Sequence, residues 1–208
     1  MKLNKIDPKK TAVLVIDMQN DFVRPGGPLF SQMGCDLLNP MAHFLDRCRQ
    51  MGMLVIYTRN TLRPDGRDMG NFGEFCTEIK EGKACVAGTE GAEICGALAP
   101  KDCDIVVVKH RYSAFFRTDL ETLLKGSDIK TVAITGVCTD ACCLSTARDA
   151  GFLDFDVVFL SDLTGTVDYA DAGFGPISAE DMHLQTLNLV AQTTGDVMTS
   201  ERFFELAK

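Results

Sequence analysis

The chain is poor in the residues that build a metal centre. It has three histidines, His43, His110 and His183, far apart and without ligand spacing. Its nine cysteines are an odd number and contain no Cys-x-x-Cys pair. A structural zinc site needs paired ligands at short spacing, so no metal is expected. Cys138 and Cys142 stand four apart and could share a helix face, but they lack a second pair. Long apolar runs are also missing, which excludes a membrane span. The first apolar run, Ala12 to Ile16, ends in Asp17 and is too short for a secretory signal. A basic surplus is absent too: net charge is −8 and the sequence pI is about 4.9. That disfavours nucleic acid and anionic membrane as partners, while leaving a small anionic molecule open. Without a secretory signal, the cysteines are expected to be reduced and mostly buried, in a cytoplasmic protein.

What is present fits one α/β domain spanning residues 1–208. The chain is 46% hydrophobic and 24% charged, and its length supports a sizeable core. Short β-branched runs alternate with amphipathic ones. Strands are expected at Ala12–Ile16, Leu54–Thr58, Ile105–Lys109, Thr131–Thr135 and Asp156–Leu160, with a weaker one at Gly195–Met198. Helices are expected at Leu37–Met51, Ala92–Leu98, Asp119–Lys125, Asp140–Gly151 and Ala179–Thr194, with a short one after Thr199 or Ser200. Strands that are apolar throughout are covered on both faces. The alternation therefore predicts a doubly wound parallel sheet in a three-layer α/β/α sandwich. Two polar, Gly-rich stretches, Arg59–Cys85 and Asp168–Pro176, are too long for simple connections and read as functional loops.

In such folds ligands bind beyond the carboxyl ends of the strands. Asp17 ends the first strand, Lys109 ends the third, and the fourth leads through Gly136 towards Cys142. Thr139 and Asp140 supply a helix start, which would place the Cys142 thiol in a first helical turn. Backbone N–H groups and the helix dipole there favour thiolate and can hold an oxyanion. A thiolate predicts that Cys142 is alkylated faster than the other eight cysteines. Each residue alone also fits an ordinary role: a turn cap for Asp17, a snorkelling side chain for Lys109, core packing for Cys142. Together they are chemically complete for splitting an amide or carbamoyl C–N bond, with Asp17 moving the proton and Lys109 holding charge opposite it.

Four ordered segments carry a resemblance. They are Ala12 to Phe22 (Ala-Val-Leu-Val-Ile-Asp-Met-Gln-Asn-Asp-Phe), Gly88 to Ile94, Val108 to Phe115, and Gly136 to Cys142 with Thr146 to Ala150. Along nearly its whole length the chain resembles the isochorismatase-like cysteine hydrolases. The resemblance implies a six-stranded parallel sheet, assembly as a dimer or tetramer, and Asp17, Lys109 and Cys142 as a catalytic triad. It also implies a cis peptide between Val137 and Cys138, with the Cys138 and Cys142 N–H groups forming an oxyanion hole. Cys138 and Cys143 are then not nucleophiles.

Substrate class is narrowed by differences. Nicotinamidases carry an Asp-x-His pair after the second strand, and that region here contains no histidine. No metal and no cofactor are therefore expected. The segment after Lys109 is closer to N-carbamoylsarcosine amidase and ureidoacrylate amidohydrolase. Arg59 and Arg111 are candidates to grip a substrate carboxylate, and Phe22, Tyr112 and Phe115 to wall the pocket. Vinyl-ether hydrolysis of the isochorismatase type, nicotinamidase activity and a non-catalytic binding role remain as alternatives.

Overall fold

The structure, a computed structural model, describes residues 3–207. Its elements in chain order are β1 (Thr11–Ile16), α1 (Asn20–Val23), α2 (Gln32–Asp36), α3 (Leu38–Gln50), β2 (Leu54–Asn60), α4 (Thr77–Lys80), β3 (Ile105–Lys109), α5 (Leu120–Gly126), β4 (Thr131–Val137), α6 (Leu144–Phe152), β5 (Asp156–Gly165), α7 (Ala179–Thr193), β6 (Asp196–Met198) and α8 (Ser200–Leu206). The six strands form one sheet in the order β3-β2-β1-β4-β5-β6, and every pairing is parallel.

Period-two alternation divides the sheet between two cores. Val13, Val15, Val55 and Tyr57 face one side, where Met41, Phe44 and Leu45 of α3 and Phe203 and Phe204 of α8 cover them. Ala12, Leu14, Ile16 and Ile56 face the other, against Leu120 and Leu124 of α5, Leu144 and Ala147 of α6 and Val190 of α7. All six residues of β1 are buried. Side-chain oxygens close helix starts, as Ser178 Oγ does for Asp181 N–H (3.1 Å) and Thr199 Oγ1 for Arg202 N–H (3.2 Å).

The chain runs β1, β2, β3 to one side and then returns past β1 to lay down β4. The switch point therefore lies between β1 and β4, whose register pairs Ile16 with Gly136. Gly136 has φ +108°, and a Cβ on it would lie 2.0 Å from Ile16 O. Only glycine lets the two strands approach there.

Two expectations change. The expected helix Ala92–Leu98 reduces to a single 3₁₀ turn, Gly96–Leu98. Its backbone is taken by other partners: Ile94 bridges to Gln19 and Cys95 N–H donates to Met18 O at 2.9 Å. The expected helix over Asp140–Gly151 opens instead with a π-helical turn, Thr139–Cys143. The stretch 59–85, expected as a functional loop, packs Leu62, Phe72, Ile79 and Cys85 into the core.

Candidate active site

Asp17 follows β1 directly and takes φ 49°, a left-handed conformation that aspartate tolerates better than most residues. Its carboxylate is fixed by the end of β2. Thr58 Oγ1 donates to Asp17 Oδ1 at 2.6 Å and accepts from Asp17 N–H at 3.1 Å. Lys109, at the end of β3, reaches under the same point. Its Nζ stands 2.6 Å from Asp17 Oδ2, donates to Arg111 O at 3.0 Å and to Cys142 Sγ at 3.4 Å. Asp17 Oδ2 thus faces the Lys109 ammonium as a close buried ion pair. Both side chains are wholly buried.

Cys142 arrives from β4 through the cis Val137–Cys138 peptide and the π turn. Within that turn the Cys143 and Ala141 N–H groups both donate to Cys138 O, at 3.1 and 3.2 Å. π turns of this kind occur often at functional sites. Thr139 and Asp140 do not cap it, since Cys138 occupies the cap without a side-chain bond. Thr139 Oγ1 lies 2.9 Å from His183 Nδ1, and His183 Nε2 lies 3.0 Å from Ser161 O. That geometry assigns the proton to Nε2 and makes Nδ1 the acceptor. Burial lowers the His183 pKa, which keeps the ring neutral. The Asp140 carboxylate accepts from Thr166 Oγ1 and from the Tyr169 hydroxyl, the latter at 2.6 Å.

Electrostatics differ from the sequence expectation. Burial pushes the Cys142 thiol well above its ordinary value, outweighing the opposing Lys109 ammonium, and contact with Asp17 adds to the rise. Cys142 therefore rests as a thiol, not a thiolate, with a carboxylate in reach of its proton. Burial alone would lower the Lys109 pKa, but Asp17 and Cys142 overcome it and hold the ammonium above its ordinary value. A thiol, a carboxylate and an ammonium thus meet at the switch point, an arrangement able to pass a proton as a carbon–sulfur bond forms.

Above them opens a cleft of about 400 Å³, within the range of small-molecule sites. Phe22 and Tyr112 line it together with Cys138 and Cys142. Arg59, Arg111 and Phe115 do not. The Arg59 guanidinium pairs with Glu93. Arg111 donates to Asp68 O at 3.0 Å and His110 O at 2.5 Å, and Phe115 stacks on Phe155 with centroids 6.1 Å apart. The cleft wall holds residues that sequence patterning passed over: Asn60, Phe72, Glu78 and Tyr169. Thr58 and Asn60 had one legible signal, namely polar residues ending an apolar strand.

Among the described residues no cluster of three or more histidine, cysteine, aspartate or glutamate side chains could hold a metal. None of the nine cysteines is in a disulfide, and Cys103 is the exposed one. No helix among the described residues is long and apolar enough to cross a membrane.

A protein from Arabidopsis thaliana named as a probable inactive nicotinamidase is 34% identical over 158 residues, 75% of this chain and 81% of the relative. Ureidoacrylate amidohydrolase RutB of Caulobacter segnis is 33% identical over 176 residues, 76% of this chain and 74% of the relative. The crystal structure of a cysteine hydrolase from Pseudomonas syringae pv. phaseolicola superposes with a TM-score of 0.93 at 34% identity, covering 99% of this chain and 97% of that one. The Isochorismatase domain family matches residues 11–202, and this chain belongs to the isochorismatase family.

Proposed function

We propose that the protein is a cysteine-dependent amidohydrolase that cleaves a C–N bond in a small amide, carbamoyl or ureido compound. The observation that carries this reading is Lys109 Nζ between Asp17 Oδ2 (2.6 Å) and Cys142 Sγ (3.4 Å) at the base of the cleft. The names of two relatives support it, one an amidohydrolase and one a cysteine hydrolase.

In the first half-reaction the Cys142 thiol gives its proton to the Asp17 carboxylate while sulfur bonds to the carbonyl carbon. The oxygen becomes an oxyanion that the Cys138 and Cys142 N–H groups receive. Asp17 returns the proton to the departing nitrogen, the C–N bond breaks, and ammonia or an amine leaves. A thioester remains on Cys142. In the second half Asp17 takes a proton from water, the hydroxyl adds to the thioester, and the C–S bond breaks. The acid or carbamic acid leaves, and the proton on Asp17 restores the thiol. Lys109 stays charged throughout and offsets the negative charge that moves between Asp17, sulfur and oxygen.

Ammonia release from a panel of small amides, carbamoyl compounds and nicotinamide tests the reading. Wild type is expected to release ammonia with or without a chelator, and Cys142→Ala is not. Equal release by the variant contradicts it. Silence of the wild type across the panel does so as well, and moves the assignment to vinyl-ether hydrolysis or a binding role.

A further inference from the structure

Among the described residues, none that lines the cleft above Cys142 is cationic. Lys109 beneath it has directed its N–H groups at Asp17, Arg111 O and Cys142. Arg59 and Arg111 are held outside by Glu93 and by backbone carbonyls. Two carboxylates do line the cleft, Glu78 of α4 and Asp168. Asp168 spends Oδ1 on Ala179 N–H at the start of α7, at 2.7 Å. The Glu78 carboxylate accepts from the Cys76 thiol, at 3.4 Å, and among the described residues it makes no ion pair.

A second observation is independent of charge. Asn60 is 1% exposed, and its Oδ1 is buried without a partner. Its backbone is pinned by Gln19, which accepts from Asn60 N–H at 2.7 Å and donates to Asn60 O at 2.9 Å. Asn60 lines the cleft with part of its amide left unpaired. Tyr112, packed edge-on against Phe72 with centroids 4.9 Å apart, adds an aromatic surface that a cation can approach.

We propose that the cleft selects a small amide or ureido compound bearing a protonated amine, with Glu78 setting the charge preference and the Asn60 amide meeting the substrate's amide or ureido group. This rests on the amidohydrolase reading for its reaction and on the cleft alone for its selectivity. A substrate carboxylate would meet Glu78 with no cation among the described lining residues to offset it, which disfavours it. Such a substrate differs from the carboxylate-bearing one that Arg59 and Arg111 were expected to grip.

Binding separates this proposal from the chemistry. Calorimetry on the Cys142→Ala protein uses three probes of similar length: 4-aminobutanamide, butanamide and succinamate. The amine is expected to bind about tenfold more tightly than the neutral amide, and succinamate more weakly than either. Glu78→Gln in the same background should erase the amine's advantage and relieve the penalty on succinamate. Added salt should shrink the advantage without any mutation, a readout that does not depend on a variant folding. Succinamate binding as tightly as the amine overturns the proposal, as does an advantage unchanged by both salt and Glu78→Gln. Failure of all three probes to bind overturns it too. Absence of ammonia release by wild type would instead fall on the amidohydrolase reading and leave this measurement intact.

Discussion

Thr58 and Asp17 hold each other at both ends. The Thr58 hydroxyl donates to Asp17 Oδ1 at 2.6 Å and accepts the Asp17 N–H at 3.1 Å. With Oδ1 occupied in this way, Oδ2 is left as the oxygen for Lys109 and the thiol proton. Thr58→Val keeps the shape and removes both bonds. Turnover is expected to fall about 10- to 100-fold, mostly in kcat, because a misdirected carboxylate loses the proton transfer but not the cleft. Steady-state kinetics on any accepted amide checks this, and a change confined to KM would count against it.

Asp17 and Lys109 form an ion pair with both side chains wholly buried. Removing one partner strands a charge, at a cost of about 3–5 kcal/mol. Lys109→Met should therefore lower stability sharply in urea unfolding. The double variant Asp17→Asn with Lys109→Met should recover much of that stability and none of the activity. Equal loss in the single and double variants would mean the pair contributes packing rather than charge.

Alkaline pH should unfold the protein by a traceable route. Burial pushes the Cys48 and Cys138 thiols from 9.0 to about 12, and Cys142 and Cys143 well above 9.0. A raised pKa means the folded chain keeps protons that the unfolded chain releases. The associated stability is fully present below pH 9.0 and is lost as pH climbs towards 12. Lys109, raised above 10.5, acts in the same direction higher in the range. Melting temperature should hold up to about pH 8 and then decline steadily. A flat profile across that window contradicts the burial of these groups.

Cys142 is 5% exposed and rests as a thiol, whereas Cys103 is exposed. Iodoacetamide at neutral pH should therefore modify Cys103 before Cys142, the reverse of what a resting thiolate would give. Peptide mass mapping over time decides the order.

Gly136→Ala tests the switch point itself. The new Cβ would sit 2.0 Å from Ile16 O at a φ of +108°. The loss should exceed about 1 kcal/mol and should disable the site, since β1 and β4 carry Asp17 and Cys142.

Much of this architecture was legible in the chain. β-Branched runs located the strands because a sheet buried on both faces needs apolar residues at every position. Asp17, Lys109 and Cys142 stood out because charge or reactivity at a strand end has few structural uses. The helix at Ala92–Leu98 misled because its apolar spacing does not reveal that Gln19 and Met18 claim its backbone. Arg59 and Arg111 misled for a related reason: their partners, Glu93 and the Asp68 and His110 carbonyls, are set by loop folding rather than local pattern. The thiol's protonation also escaped the sequence, since a helix-start signal reports dipole and N–H groups but not burial.

The central claim is that Cys142 carries the acyl group through a thioester. Intact-mass spectrometry of wild-type protein quenched in acid during turnover of an accepted amide measures it directly. The account predicts a mass increase equal to the acyl or carbamoyl group, mapped to the peptide containing Cys142 and absent in Cys142→Ala. Turnover with no adduct in wild type, together with undiminished turnover in Cys142→Ala, would contradict it.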